Sequence, residues 1–204
     1  MRWTGLAALA VPALLAGAAI GNATGAGDAG GPVVVAVEAR GERTATGFAT
    51  GDGRIVTVAH ALGDRPVFVR GSDGVARPAT VLRRDEQLDL AVLAVRALPS
   101  APAAEDTAPR LGTGAPTHTV VRRDGTRTPA AIVRRIDARV RGGDGRLVAR
   151  RPAFELRAAI GPGDSGAPLL GPDGRVAGVV FARSRERPGV AYAVDASVLD
   201  ALLR

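Results

Sequence analysis

The sequence predicts an all-β protein made of two six-stranded β-barrels with a short C-terminal helix. Three observations predict it. Short runs rich in Val, Ile, Thr and Leu recur between turn dipeptides, the pattern of a sandwich or barrel. A proline-broken stretch, Leu98-Pro99-Ser100-Ala101-Pro102-Ala103-Ala104, divides those runs into two sets. The tail after Asp195 places Val198, Leu199 and Leu202 on one helical face. A chain of 204 residues is long enough to bury a core in each half.

Residues 1–26 read as a signal peptide and short leader. Arg2 supplies the positive start, Leu6 to Ile20 is uncharged, and small residues follow through Ala26, with cleavage expected between Ala18 and Ala26. The apolar stretch falls short of the roughly 20 residues of a full span. Secretion is therefore expected, the competing reading being an uncleaved anchor with the protein facing outward. Only about ten Gly- and Ala-rich residues separate the leader from the first strand, so no folded pro-domain is expected.

The first barrel, residues 31–97, is expected to use Val33–Glu38, Thr44–Thr50, Arg54–Val58, Val67–Arg70, Ala76–Arg83 and Leu90–Val95. Gly51-Asp52-Gly53 joins two of these as a hairpin. Residues 98–110 form the linker. The second barrel and terminal helix take 111–204, with Thr119–Arg122, Ala130–Asp137, Leu147–Arg150, Phe154–Leu156, Pro168–Leu170, Arg175–Phe181 and Ala191–Val194. Asp124-Gly125, Asp144-Gly145 and Asp173-Gly174 supply turns. Asp195 is the N-cap candidate of a helix packed on the second barrel.

Chemistry concentrates in three places. Gly163-Asp164-Ser165-Gly166-Ala167-Pro168 suits a tight turn in which a hydroxyl stands clear and peptide N–H groups face a developing negative charge. His60, one of two histidines, closes a β-branched run. Asp89 is the lone carboxylate at the start of an apolar strand, where burial requires a hydrogen-bonding or cationic partner such as an imidazole. Taken alone, Asp89 reads equally well as a surface residue. Asp64 and Asp85 compete for its role, but Arg83-Arg84-Asp85-Glu86 reads as a solvated charged turn. His118 reads as an exposed histidine at a strand start.

Val58-Ala59-His60, Leu88-Asp89-Leu90-Ala91-Val92-Leu93 and Gly163-Asp164-Ser165-Gly166 resemble the three catalytic blocks of trypsin-like, chymotrypsin-fold serine proteases, in that fold's chain order. Thr46-Gly47-Phe48 is similar to the strand that pairs with the histidine strand, and Pro188-Gly189-Val190 to the family's last strand. The resemblance implies Ser165 as nucleophile, His60 as general base and then acid, and Asp89 as its orienting carboxylate. The N–H groups of Gly163 and Ser165 would form the oxyanion hole. Chemically this is consistent, because a serine hydroxyl needs an adjacent base and an imidazole titrates near neutral pH. Activity is accordingly expected to rise with pH as the imidazole loses its proton.

The resemblance also implies a substrate pocket with Ala159 at its base and Gly189 in its wall. Phe181, Ala182 and Arg183 would pair with a substrate strand. With no carboxylate at the base, small or medium apolar side chains are the expected preference. Ala167 departs from the family's usual glycine, and an arginine is expected to neutralise Asp164. No PDZ-type module is expected after Arg204.

All 27 basic residues are arginine, and the formal net charge is +7. They are spread along the chain without interleaved aromatics, which gives base stacking no support and points to a solvated surface rather than a nucleic-acid partner. With no cysteine and two separated histidines, neither a disulfide nor a usual zinc site is available, and no cofactor is expected. The expected partner is a protein or peptide substrate, and a membrane only if the leader is retained. Two functions fit: a secreted serine endopeptidase, or a protease-like binding or sensing module that has lost activity.

Overall fold

Antiparallel pairing of neighbouring runs closes two barrels. The computed structural model describes residues 33–39, 42–50, 52–64, 66–96, 118–141 and 147–204. The expected leader (1–26), the linker (98–110), Gly51 and the Asp144-Gly145 turn lie outside these residues. The first barrel contains β1 (Val34–Ala39), β2 (Glu42–Ala49), β3 (Arg54–Val58), β4 (Val67–Arg70), β5 (Ala76–Asp85) and β6 (Leu90–Val95). The second contains β7 (His118–Val121), β8 (Arg127–Arg141), β9 (Leu147–Ala158), β10 (Pro168–Leu170), β11 (Val176–Arg183) and β12 (Val190–Asp195). Around the barrels the orders are β1-β2-β3-β6-β5-β4 and β7-β8-β9-β12-β11-β10, one topology used twice.

Strand β6 shows why an unbroken apolar run suits this architecture. Its alternate residues Ala91 and Leu93 fill the first barrel, while Leu90 and Val92 face the seam between barrels. Both faces are therefore buried, and the usual polar alternation of a half-exposed strand disappears. The seam core joins Phe48, Val56 and Leu90 of one barrel to Leu170, Val179 and Val194 of the other.

Three expectations need correction. Leu147–Arg150 and Phe154–Leu156 are one strand, not two. Pairing of β9 with β12 begins at Ala153, so Pro152 lies where β8 alone is its neighbour, opposite Asp137. Proline is tolerated at such an edge because its missing N–H interrupts no ladder. The C-terminal segment is also different. Asp195 accepts a hydrogen bond from the Ser197 N–H (3.0 Å) and caps a 3-10 turn, Ala196–Val198; the helix α1 is only Leu199–Leu203. It packs in the seam rather than on the second barrel alone, with Leu199 and Leu202 in the shared core. From the first barrel, Arg54 and Arg83 donate to the carbonyls of Leu203 (2.6 Å) and Ala201 (3.0 Å). Finally, His118 does start a strand, but it is 2% exposed. Its position at the start of β7, paired with the buried Ala130, turns it inward.

Candidate active site

The ladder between β3 and β6 brings two distant residues together. Val58 pairs with Leu90, and just beyond that pair the Ala59 N–H donates to the Asp89 carbonyl (3.0 Å). A single 3-10 turn, Ala59–Ala61, then carries His60. Asp89 occupies the turn before β6 with φ 59°, a left-handed conformation that aspartate tolerates better than most residues. Its Oδ1 accepts the His60 peptide N–H at 2.9 Å, and its Oδ2 lies 2.8 Å from His60 Nδ1. An ionised carboxylate offers only lone pairs, so Nδ1 is the donor, and in the neutral ring this leaves the lone pair on Nε2. Burial pushes the Asp89 carboxyl upward, but the hydrogen bonds and charge of His60, with the charge of Arg151, hold it below the usual range.

The serine turn is built separately and docked onto the first barrel. Within it, the Gly161 N–H donates to Asp164 Oδ2 (2.8 Å) and the Ala167 N–H to the Asp164 carbonyl (3.0 Å). Gly166 donates to Val180 of β11 at 2.6 Å. Thr46 of β2 then grips the turn twice: its N–H donates to the Ser165 carbonyl (2.8 Å) and its hydroxyl to the Gly163 carbonyl (2.8 Å). Gly166 has to be glycine, because its φ is +87° and an added Cβ would lie 1.9 Å from the Thr46 carbonyl oxygen. Behind it, Thr57 of the histidine strand donates to that same oxygen at 2.7 Å.

Among the described residues, the N–H groups of Gly163 and Ser165 donate no backbone hydrogen bond. The structure joins His60 to Asp89 directly. It brings Ser165 to the strand beside the histidine strand, but no hydrogen bond between its hydroxyl and His60 is present among the described residues.

Of the residues assigned to substrate binding, Ala159 and Gly189 come from neighbouring strand ends, where the Ala158 N–H donates to the Gly189 carbonyl (2.9 Å). Ala159 is exposed; Ala182 is half-buried and Arg183 exposed at the end of β11. Phe181 turns inward, packing against the seam and first-barrel cores.

Two arginines at the site are not singled out by the sequence pattern, although an arginine on Asp164 was expected. Arg122 is the cation that neutralises Asp164 (2.9 Å), and it also donates to the Ala159 carbonyl (3.1 Å). Arg151 contradicts the reading of the arginines as a solvated surface, being 3% exposed. Its Nη1 is 3.1 Å from Asp89 Oδ2, and its guanidinium carbon lies 5.1 Å from the centroid of the Phe181 ring. Burial of this arginine is possible because a carboxylate and an aromatic face meet it there.

Two closed barrels of this topology, with a histidine–carboxylate pair on one and a glycine-flanked serine turn on the other, define a class. The profile of the trypsin-like peptidase domain matches residues 45–179, and the chain belongs to that family. It is 38% identical over 144 residues to the serine proteases Rv3671c and MT3772 of two strains of Mycobacterium tuberculosis. That match covers 67% of this chain and 35% of theirs, so the chain spans about a third of the length of these relatives. The active form of the Rv3671c protease superposes with a TM-score of 0.72 at 30% identity, covering 84% of this chain and 79% of that one. An inactive form of the same protease gives 0.66 at the same identity, covering 84% and 87%.

Proposed function

We propose that this chain is an exported serine endopeptidase that cleaves peptide bonds through Ser165, His60 and Asp89. The observation that carries the reading is the double grip of Asp89 on His60, through the peptide N–H at 2.9 Å and Nδ1 at 2.8 Å. This grip fixes the ring's tautomer and orientation together, leaving Nε2 to take a proton. In the reaction, His60 Nε2 removes the Ser165 proton as Oγ attacks the scissile carbonyl carbon, forming a tetrahedral adduct. The carbonyl oxygen, now negative, is met by the N–H groups of Gly163 and Ser165. His60 then gives the proton to the departing amine, leaving an acyl-serine, and water reverses the steps to release the acid. One missing oxyanion donor typically costs such a reaction about 2.7–4 kcal/mol. Neutral residues at Ala159 and Gly189 fit small or medium apolar substrate side chains, and the leader directs export.

Peptidyl fluorophosphonates bearing valine or arginine at the recognised position test the reading. Ser165 should be labelled, the valine reagent should react faster, and Ser165→Ala should abolish labelling. Undiminished labelling of Ser165→Ala, or no labelling of the native protein, would overturn it.

A further inference from the structure

The charge contacts of Asp89 come from two elements. His60 reaches it from the 3-10 turn after β3, and Arg151 from β9 of the opposite barrel; no other charged side chain among the described residues contacts the carboxylate. Both groups address the same oxygen, Oδ2, at 2.8 and 3.1 Å. They do so differently. His60 Nδ1 makes a hydrogen bond, whereas Arg151 Nη1 and Nε are buried without an aligned hydrogen-bond acceptor. Arg151 therefore acts on Asp89 as a charge rather than as a directional donor. Its side chain is 4% exposed, so water screens that charge poorly.

We infer that Arg151 is a positioning residue of the active site, a permanent second cation on the Asp89 carboxylate that limits how strongly it can stabilise a protonated His60. The inference rests on the triad reading above. When His60 takes the serine proton, an imidazolium forms beside a carboxylate already shared with a guanidinium. Like charges disfavour one another across that shared oxygen. The imidazolium is then held tightly enough to form but not so tightly that it retains the proton owed to the leaving amine. The fixed charge also anchors the carboxylate from the second barrel. The barrel that carries Ser165 thereby helps to hold the base that activates it.

Arg151→Met removes the charge and keeps an apolar side chain against Phe181. The acid limb of its kcat/KM profile should move to higher pH by about one unit. Arg151→Lys restores a cation without the planar fork, and its limb should return toward that of the native protein. A purely structural role would lower activity at every pH without moving the limb. The chain has only two histidines, so histidine-labelled NMR gives an activity-independent readout. In a Ser165→Ala background, the His60 titration midpoint should be higher with Arg151→Met than without it.

Coincident midpoints, or a lower midpoint in Arg151→Met, would overturn the inference. A failed triad reading looks different, since fluorophosphonate labelling would be absent while the NMR midpoints still differed. Where Arg151→Met fails to fold, Arg151→Gln is titrated in its place and must give the same upward displacement.

Discussion

Thr46 holds the serine turn at both ends, through its N–H to the Ser165 carbonyl and its hydroxyl to the Gly163 carbonyl. The second bond matters because it ties the Gly163 carbonyl to the first barrel and fixes a peptide plane of the serine turn. Thr46→Val keeps the shape and the backbone bond but leaves that carbonyl without its donor. A buried group deprived of its partner costs about 1–3 kcal/mol. Part of that loss should appear as a drop in kcat of about tenfold with KM little changed, because the turn is disturbed more than the substrate cleft. An unchanged kcat in steady-state kinetics would show that Thr46 does not position the turn. His60, Asp89 and Ser165 were legible in the sequence because chemistry-bearing residues are scarce here and each sits at a strand edge or glycine turn. Thr46, Arg122 and Arg151 were not. Threonine and arginine are common in this chain, and only tertiary pairing separates these copies from the rest.

At the scale of elements, the terminal helix is short but placed where it matters. Five residues could not hold a helix alone. Leu199 and Leu202 instead complete a core drawn from both barrels, and Arg54 and Arg83 bind its last carbonyls. Leu202→Ala should therefore cost about 2–5 kcal/mol, the range for a large-to-small change in a core. The loss should lower a single unfolding transition in urea. Separate melting of the barrels, or a change below 1 kcal/mol, would show that the helix merely decorates the seam. The segments of most strands could be read in advance, because β-branched runs and turn dipeptides alternate clearly. The site of helix packing could not. Amphipathic spacing says which face is buried but not what covers it. The two strands expected at Leu147–Arg150 and Phe154–Leu156 are likewise one, since the sequence does not reveal that pairing of β9 with β12 ends at Ala153 and leaves an edge where Pro152 fits.

Across the whole molecule, charge and burial set how stability depends on pH. Glu155 is held below the usual carboxylate range by hydrogen bonds from Arg187 and then Arg134, against the opposing effect of burial. Asp89 is lowered too, burial being outweighed by His60 and Arg151. For both acids the sign is the same: their stabilisation is present above the unfolded carboxylate range and is lost as pH falls through the lower folded value. Those losses belong to strongly acidic solution. His118 acts earlier. Burial pushes its imidazole below the ordinary value, only partly opposed by the charge of Asp173, so the folded chain takes up this proton at lower pH than the unfolded chain does. The unfolded chain takes up a proton from about pH 6.5 downward. Between that point and the lower folded value the unfolded state binds more protons, so stability falls as pH falls. Thermal melts of the native protein should therefore drop between pH 7 and 5, before the carboxylates titrate. His118→Gln, which fills similar space without a titrating ring, should give a flatter profile in that interval while retaining the acid collapse below about pH 4. Parallel profiles in native protein and variant would assign the neutral-range loss to another group, and His118 would then be a packing residue alone.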